Sequence, residues 1–177
     1  MDSYSRIVLI GFRATGKTTL ALRLGSRLRW ACSSTDEMVE ERTGRSISEI
    51  VKEEGWEKFR ELEHQVIHEL AEKTGIIIDC GGGIVEHKTN IDLLKPGALM
   101  VWVDAELSDI IQRLINNPGI RPLLNQKDPE TDVQANYRKR LPLYRLYGKL
   151  RVDTSHESLD EICDRVLTLL EKNKKSG

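Results

Sequence analysis

The chain has 177 residues, the length of a single domain able to bury a full core. Its 27 basic and 28 acidic side chains leave a net charge of −1, so no global field draws it to nucleic acid or to a membrane surface. Cys32, Cys80 and Cys163 are odd in number and widely spaced, which argues against a disulfide framework or a zinc site; with no signal-peptide pattern and no long apolar run, a soluble cytoplasmic protein is expected.

Short β-branched runs alternate with longer stretches of helical period, the pattern of a parallel sheet with crossover helices. The first strand is expected over 7–10 and leads straight into Gly11-Phe12-Arg13-Ala14-Thr15-Gly16-Lys17-Thr18. A helix over 18–29 follows, with Leu20, Ala21, Leu24 and Leu28 as its apolar stripe. A short strand over 30–34 and polar helices over 38–43 and 47–54 come next. From 55 to 73, Trp56, Phe59, Leu62, Val66, Ile67 and Leu70 recur at helical spacing, and Gly75 stops that helix. Strands are expected over 76–78 and 99–103, and a helix over 106–116. The segment 117–127 has little periodic pattern and reads as a mobile lid. A helix over 130–147, interrupted at Pro142, a strand over 150–153 and a helix over 159–170 complete the chain, with a frayed tail over 172–177. This is an α/β domain with a five-stranded parallel sheet, in which ligands bind beyond the carboxyl ends of the strands.

The glycine-rich stretch after the first strand fits G-x-x-x-x-G-K-[ST], a phosphate-binding loop. Its backbone N–H groups can turn inward around phosphate oxygens, Lys17 can reach the β- and γ-phosphates, and the Thr18 hydroxyl can ligate Mg²⁺. The helix behind it adds its positive N-terminal end. Ala14 stands where many such loops carry glycine; if that position needs a positive φ, alanine costs about 1 kcal/mol. The three glycines Gly81, Gly82 and Gly83 follow an apolar strand and would let a ligand approach the backbone closely. His64 and His68 have the spacing of a zinc pair, but Gln65 stands where a metalloprotease needs glutamate, so they read as a helix face. The basic residues Arg138, Lys139, Arg140, Arg145, Lys149 and Arg151 point several ways and suit anionic small molecules better than nucleic acid.

Taken together, the chain resembles the shikimate kinase family. The resemblance rests on the phosphate loop, Thr35-Asp36, Phe59-Arg60-Glu61-Leu62-Glu63, Gly81-Gly82-Gly83, Arg121-Pro122-Leu123-Leu124, Arg140-Leu141-Pro142-Leu143-Tyr144 and Arg151-Val152-Asp153-Thr154, in family order from about residue 5 to residue 170. It implies a three-layer fold with strand order 2-3-1-4-5, and ATP-dependent phosphorylation of the shikimate 3-hydroxyl on the route to chorismate and the aromatic amino acids. The cofactors implied are ATP and Mg²⁺; the partners are small molecules, with no nucleic acid, no membrane, and a monomeric state. ATP would be held by Gly11, Arg13, Ala14, Thr15, Gly16, Lys17, Thr18, Thr19 and Arg121. Shikimate would be held by Asp36, Arg60, Glu63, Gly81, Gly82, Gly83 and Arg140. Lys17, Asp36 and Arg121 would carry the chemistry.

Two positions depart from the family. One is Ala14. The other is Ser34, where the family usually has an aspartate that serves Mg²⁺; Asp79, at the end of the 76–78 run, is the candidate to replace it, beside Thr18. Two other readings follow: a kinase for another small polyol acid such as gluconate, or a nucleotide-binding protein with impaired catalysis.

Overall fold

The first strand, β1 (Arg6–Ile10), is buried along its whole length, which requires the centre of a sheet covered on both faces. The computed structural model, which describes residues 4–116 and 129–174, puts it there. β3 (Ile76–Asp79) and β4 (Ala98–Asp104) pair with it in parallel on either side. β2 (Ala31–Ser34) and β5 (Leu150–Asp153) form the two edges, giving the order β2-β3-β1-β4-β5. This is the expected topology.

The two-residue side-chain period of a strand divides the core into two halves. Ile7, Leu9, Ile77, Leu99, Val101 and Val103 point to one face, where α1 (Lys17–Leu28) and α7 (Leu159–Lys174) pack through residues such as Leu20, Leu24, Ile162 and Val166. Val8, Ile10, Ile76, Ile78, Met100 and Trp102 point to the other. That face is covered by α2 (Thr35–Thr43), α3 (Ile47–Leu70), α4 (Lys88–Leu94), α5 (Leu107–Asn116) and α6 (Pro129–Tyr147). Leu9 is completely buried, so Leu9→Ala would cost about 2–5 kcal/mol.

Several boundaries differ from the sequence expectation for identifiable reasons. α2 begins at Thr35 because the Ser34 side chain caps it, accepting the Glu37 N–H at 3.3 Å. α3 starts on a capping box between Ser46 and Glu49 and breaks at Gly55, with φ 86° and ψ 171°, where the two expected helices meet. The 3₁₀ turn Ile84–Glu86 and α4 were not legible, being too short for a period to register. α6 is not interrupted at Pro142 but runs through it. Proline removes one helical N–H; past it, the helix is anchored by Tyr144, fully buried and stacked on Trp102 with ring centroids 6.3 Å apart. The expected lid over 117–127, with Arg121 inside it, lies outside the described residues.

Candidate active site

The phosphate loop connects β1 to α1, so its position is set by the central strand of the sheet. Gly11 crosses against β4 so closely that a Cβ there would lie 2.1 Å from the Val103 carbonyl oxygen, which excludes any side chain. Ala14 adopts φ 60°, the left-handed region that glycine usually fills. Gly16 follows with φ 91° at the N-terminus of α1, whose first turn has no acidic residue and no side-chain cap. Its N–H groups and dipole are therefore available to an anion. Thr15 Oγ1 and Lys17 Nζ both donate to the Phe12 carbonyl oxygen, at 2.8 and 2.9 Å, which tightens the loop from within.

The loop forms one wall of a cleft of about 1080 Å³ at the carboxyl ends of the strands. Arg13, Lys17, Thr18 and Thr19 line it from the loop and α1, Asp36 from the first turn of α2, and Asp79, Gly81 and Gly82 from the end of β3. Ile111, Leu114 and Ile115 of α5 supply an apolar side.

Oxygen donors gather at its base. The Thr18 hydroxyl donates to Asp79 Oδ2 at 2.6 Å, and Ser34 is the register partner of Asp79 across β2 and β3. Burial pushes the Asp79 carboxyl up, while the Lys17 cation and the Thr18 hydrogen bond pull it down; the net direction is upward. A cation beside it would remove that penalty. This hydroxyl and carboxylate suit Mg²⁺, a hard ion that keeps several waters and leans on substrate phosphates. Among the described residues no group of three or more His, Cys, Asp or Glu could hold a metal ion.

Beside the cleft lies a cationic corner. Arg60, on α3 beyond the Gly55 break, is tied to the fully buried Glu63 at 2.5 Å. Its guanidinium lies over the Phe59 and Trp56 rings, at 5.1 and 5.8 Å. A Cβ on Gly83 would lie 2.1 Å from Arg60 Nη2, so the glycine makes room for the guanidinium. Arg140 donates from Nε to Glu86 Oε2 at 2.8 Å, and its Nη2 lies 2.8 Å from the same oxygen in an ion pair. Its guanidinium sits 5.8 Å from the Phe12 ring centre, a ring that Arg13 approaches equally. Burial depresses the pKa of His87, and the Arg60 and Arg140 cations add to this against the Glu86 carboxylate.

A family model described as shikimate kinase matches residues 13–171. The chain belongs to the shikimate kinase family. It is 36% identical over 166 residues to a shikimate kinase of Dehalococcoides mccartyi, covering 94% of this chain and 93% of that one. It is 43% identical over 138 residues to a shikimate kinase of a Synechococcus species, covering 78% and 72%. In three dimensions it is similar to the shikimate kinase from Acinetobacter baumannii in complex with shikimate, with a TM-score of 0.89, 28% identity, and 98% and 96% of the two chains covered. The Aquifex aeolicus shikimate kinase superposes with a TM-score of 0.81 at 30% identity, covering 97% and 99%.

In this shikimate kinase family member, the loop residues, Asp36, Asp79, Gly81 and Gly82 converge on the cleft, while Arg60, Glu63, Gly83 and Arg140 occupy the corner beside it. The Gly81 N–H donates to the buried Thr35 hydroxyl at 2.9 Å. His64 pairs with Asn90, Nδ1 to Oδ1 at 2.5 Å, as a helix-face residue. Five contributors were not among the site residues expected from the sequence. Phe12 fills a free position of the loop motif yet joins the loop to Arg140. Glu86 orients Arg140 from a 3₁₀ turn, and Tyr144 fixes the glycine run by donating to the Gly82 carbonyl at 2.6 Å. Arg113 and Thr154 reach the loop from other elements, Arg113 with no sequence signal at all.

Proposed function

We infer that this chain transfers the γ-phosphoryl group of ATP to the 3-hydroxyl of shikimate, giving shikimate 3-phosphate and ADP. The observation that carries this reading is the adjacency of a phosphate loop and a paired-arginine corner, joined through Phe12 and Gly82. A guanidinium presents a planar fork matched to a carboxylate, and shikimate has one carboxylate and three hydroxyls.

Lys17 and the N-terminal end of α1 hold the nucleotide phosphates and absorb the charge that develops on them. Arg60, fixed by Glu63, and Arg140, fixed by Glu86, grip the substrate carboxylate. Asp36 accepts hydrogen bonds from the ring hydroxyls and takes the proton of the attacking one. With the Gly81 N–H given to Thr35, the acceptor's backbone contacts come from Gly82 and Gly83. Thr18 and Asp79 hold Mg²⁺, which when bound neutralises the phosphate oxygens. Phosphoryl transfer demands mainly position and charge, and those are what these residues supply.

A monomer acting in the cytosol on freely diffusing substrates goes with this reading, which calls on no residue of a second copy. No helix among the described residues is long and apolar enough to cross a membrane. The test is ADP release measured with shikimate, with gluconate and with no acceptor. Turnover with shikimate alone is the expected result; turnover with gluconate, or MgATP binding without turnover, would overturn it.

A further inference from the structure

We propose that Asp104 is a positioning residue for Arg140, holding it through Tyr137 and the Phe12 ring. The inference rests on the reading that Arg140 grips the carboxylate of the acceptor. Asp104 closes β4 and is 3% exposed. Both of its carboxylate oxygens are engaged: Oδ1 accepts the Tyr137 hydroxyl and Oδ2 accepts Arg151 Nε, each at 3.0 Å. Tyr137 precedes Arg140 by three positions on α6, so the two side chains share a helix face. They meet at one ring. Tyr137 packs against Phe12 edge to face, with centroids 5.7 Å apart and planes at 81°, and the Arg140 guanidinium lies 5.8 Å from the centre of the same ring.

The second carboxylate oxygen leads to the far side of Arg140. Arg151 lies over the Trp102 ring at 5.3 Å, and Trp102 stacks on Tyr144, four positions past Arg140. One buried carboxylate thus reaches α6 both before and after the arginine. The helix needs that support, because Pro142 has no N–H to give the Arg138 carbonyl, four residues back. Aromatic packing alone tolerates sliding, whereas a hydrogen bond to a buried carboxylate fixes distance and direction. Burial and the Asp104 charge push the Tyr137 hydroxyl up to about 12, so it stays a donor across the neutral range. Neither Asp104 nor Tyr137 lines the cleft of the phosphate loop, so their effect falls on the acceptor side.

The experiment titrates shikimate and MgATP separately, by calorimetry, into wild type, Tyr137→Phe, Arg140→Met and the double variant. Tyr137→Phe keeps the ring and removes only the hydroxyl. It is expected to weaken shikimate binding about fivefold, the size of one hydrogen bond, and to leave MgATP within about twofold. In the Arg140→Met background the same change should weaken shikimate less than about twofold, because the group being positioned is gone. Asp104→Ala should weaken shikimate at least as much as Tyr137→Phe, and adding Tyr137→Phe to it should bring no further loss. If Asp104→Ala does not fold, the cycle between Tyr137 and Arg140 decides alone. Equal losses on both ligands would overturn the proposal, as would a lowered melting temperature with shikimate affinity unchanged, or a Tyr137→Phe loss of full size without Arg140. Should Arg140→Met bind shikimate like wild type, the reading of the acceptor corner falls; should it bind weakly while Tyr137→Phe matches wild type, only the positioning role does.

Discussion

The Thr18 hydroxyl rests 2.6 Å from Asp79 Oδ2, and Asp79 stands in register with Ser34 on the neighbouring strand. A carboxylate at position 79 in place of one at position 34 would lie one strand spacing away, about 4.8 Å, and would still meet the Thr18 hydroxyl proposed to ligate Mg²⁺. Ser34, relieved of the charge, serves as the cap of α2. Asp79→Asn should raise the Mg²⁺ concentration for half-maximal turnover at least about tenfold, and adding Ser34→Asp should restore part of it. Mn²⁺ binding followed by electron paramagnetic resonance reads the same change without turnover. An unchanged Mg²⁺ titration in Asp79→Asn would sink the relocation. The stability effect has the opposite sign. The folded pKa of Asp79 is raised, chiefly by burial, so its ionised form opposes folding above that pKa and the penalty fades as pH falls. Metal-free Asp79→Asn should melt higher than wild type near neutral pH.

Gly83 and Arg60 are coupled by space rather than by a bond. The added methyl of Gly83→Ala would start 2.1 Å from Arg60 Nη2, well inside contact distance, so the guanidinium must turn away from Glu63 or the glycine run must shift. Either movement spoils a carboxylate grip while leaving the phosphate loop in place. The KM for shikimate should rise more than about tenfold, the scale of a displaced charged hydrogen bond, with the KM for ATP nearly constant. Steady-state kinetics with each substrate varied decides it, and a rise in the ATP value of the same size would contradict the placement of Arg60.

The sheet was legible because its strands are short apolar runs between helical periods, and the loop because its glycines and lysine have fixed spacing. Asp36, Arg60 and Arg140 could be placed only through their neighbours in the family pattern. What escaped was set by tertiary contact. Glu86 is one acidic residue in a turn too short for periodicity, and its importance comes from Arg140, 54 positions away. Arg113 meets Ala14 across 99 positions, and nothing local marks Arg113. Pro142 misled for the same reason: its local penalty is real, but the buried Tyr144 holds the helix beyond it.

Ala14 offers a direct measure of strain in the loop. Its φ of 60° is disfavoured for any residue with a Cβ, and glycine removes that cost while adding freedom to the unfolded chain. The two effects oppose, leaving Ala14→Gly a net gain of at most about 1 kcal/mol. For a chain of this length that is a rise in melting temperature of roughly 2–4 °C. Calorimetry of the ligand-free protein reads it, and a fall in melting temperature would mean that the alanine methyl makes a contact worth more than the strain.

Glu86 links acid stability to substrate binding. Burial pushes its carboxyl up, but the Lys139 hydrogen bond and the Arg140 charge outweigh this, and the net pKa lies below the usual 4.5. A carboxylate whose folded pKa is depressed contributes stability above its unfolded value, and that contribution disappears as pH falls through the folded one. Wild type should therefore be more stable than Glu86→Gln near neutral pH, and the two should converge as pH drops through and below 4.5. Denaturant titrations at a series of pH values test this. The same substitution frees Arg140 from a partner that engages its Nε and Nη2, so the shikimate KM should rise at neutral pH while kcat, set at the phosphate loop and Asp36, changes little. Stability curves that stay parallel across the acid range would show that the Glu86 carboxyl titrates alike in the folded and unfolded chain, and so does not hold Arg140 as an ion pair.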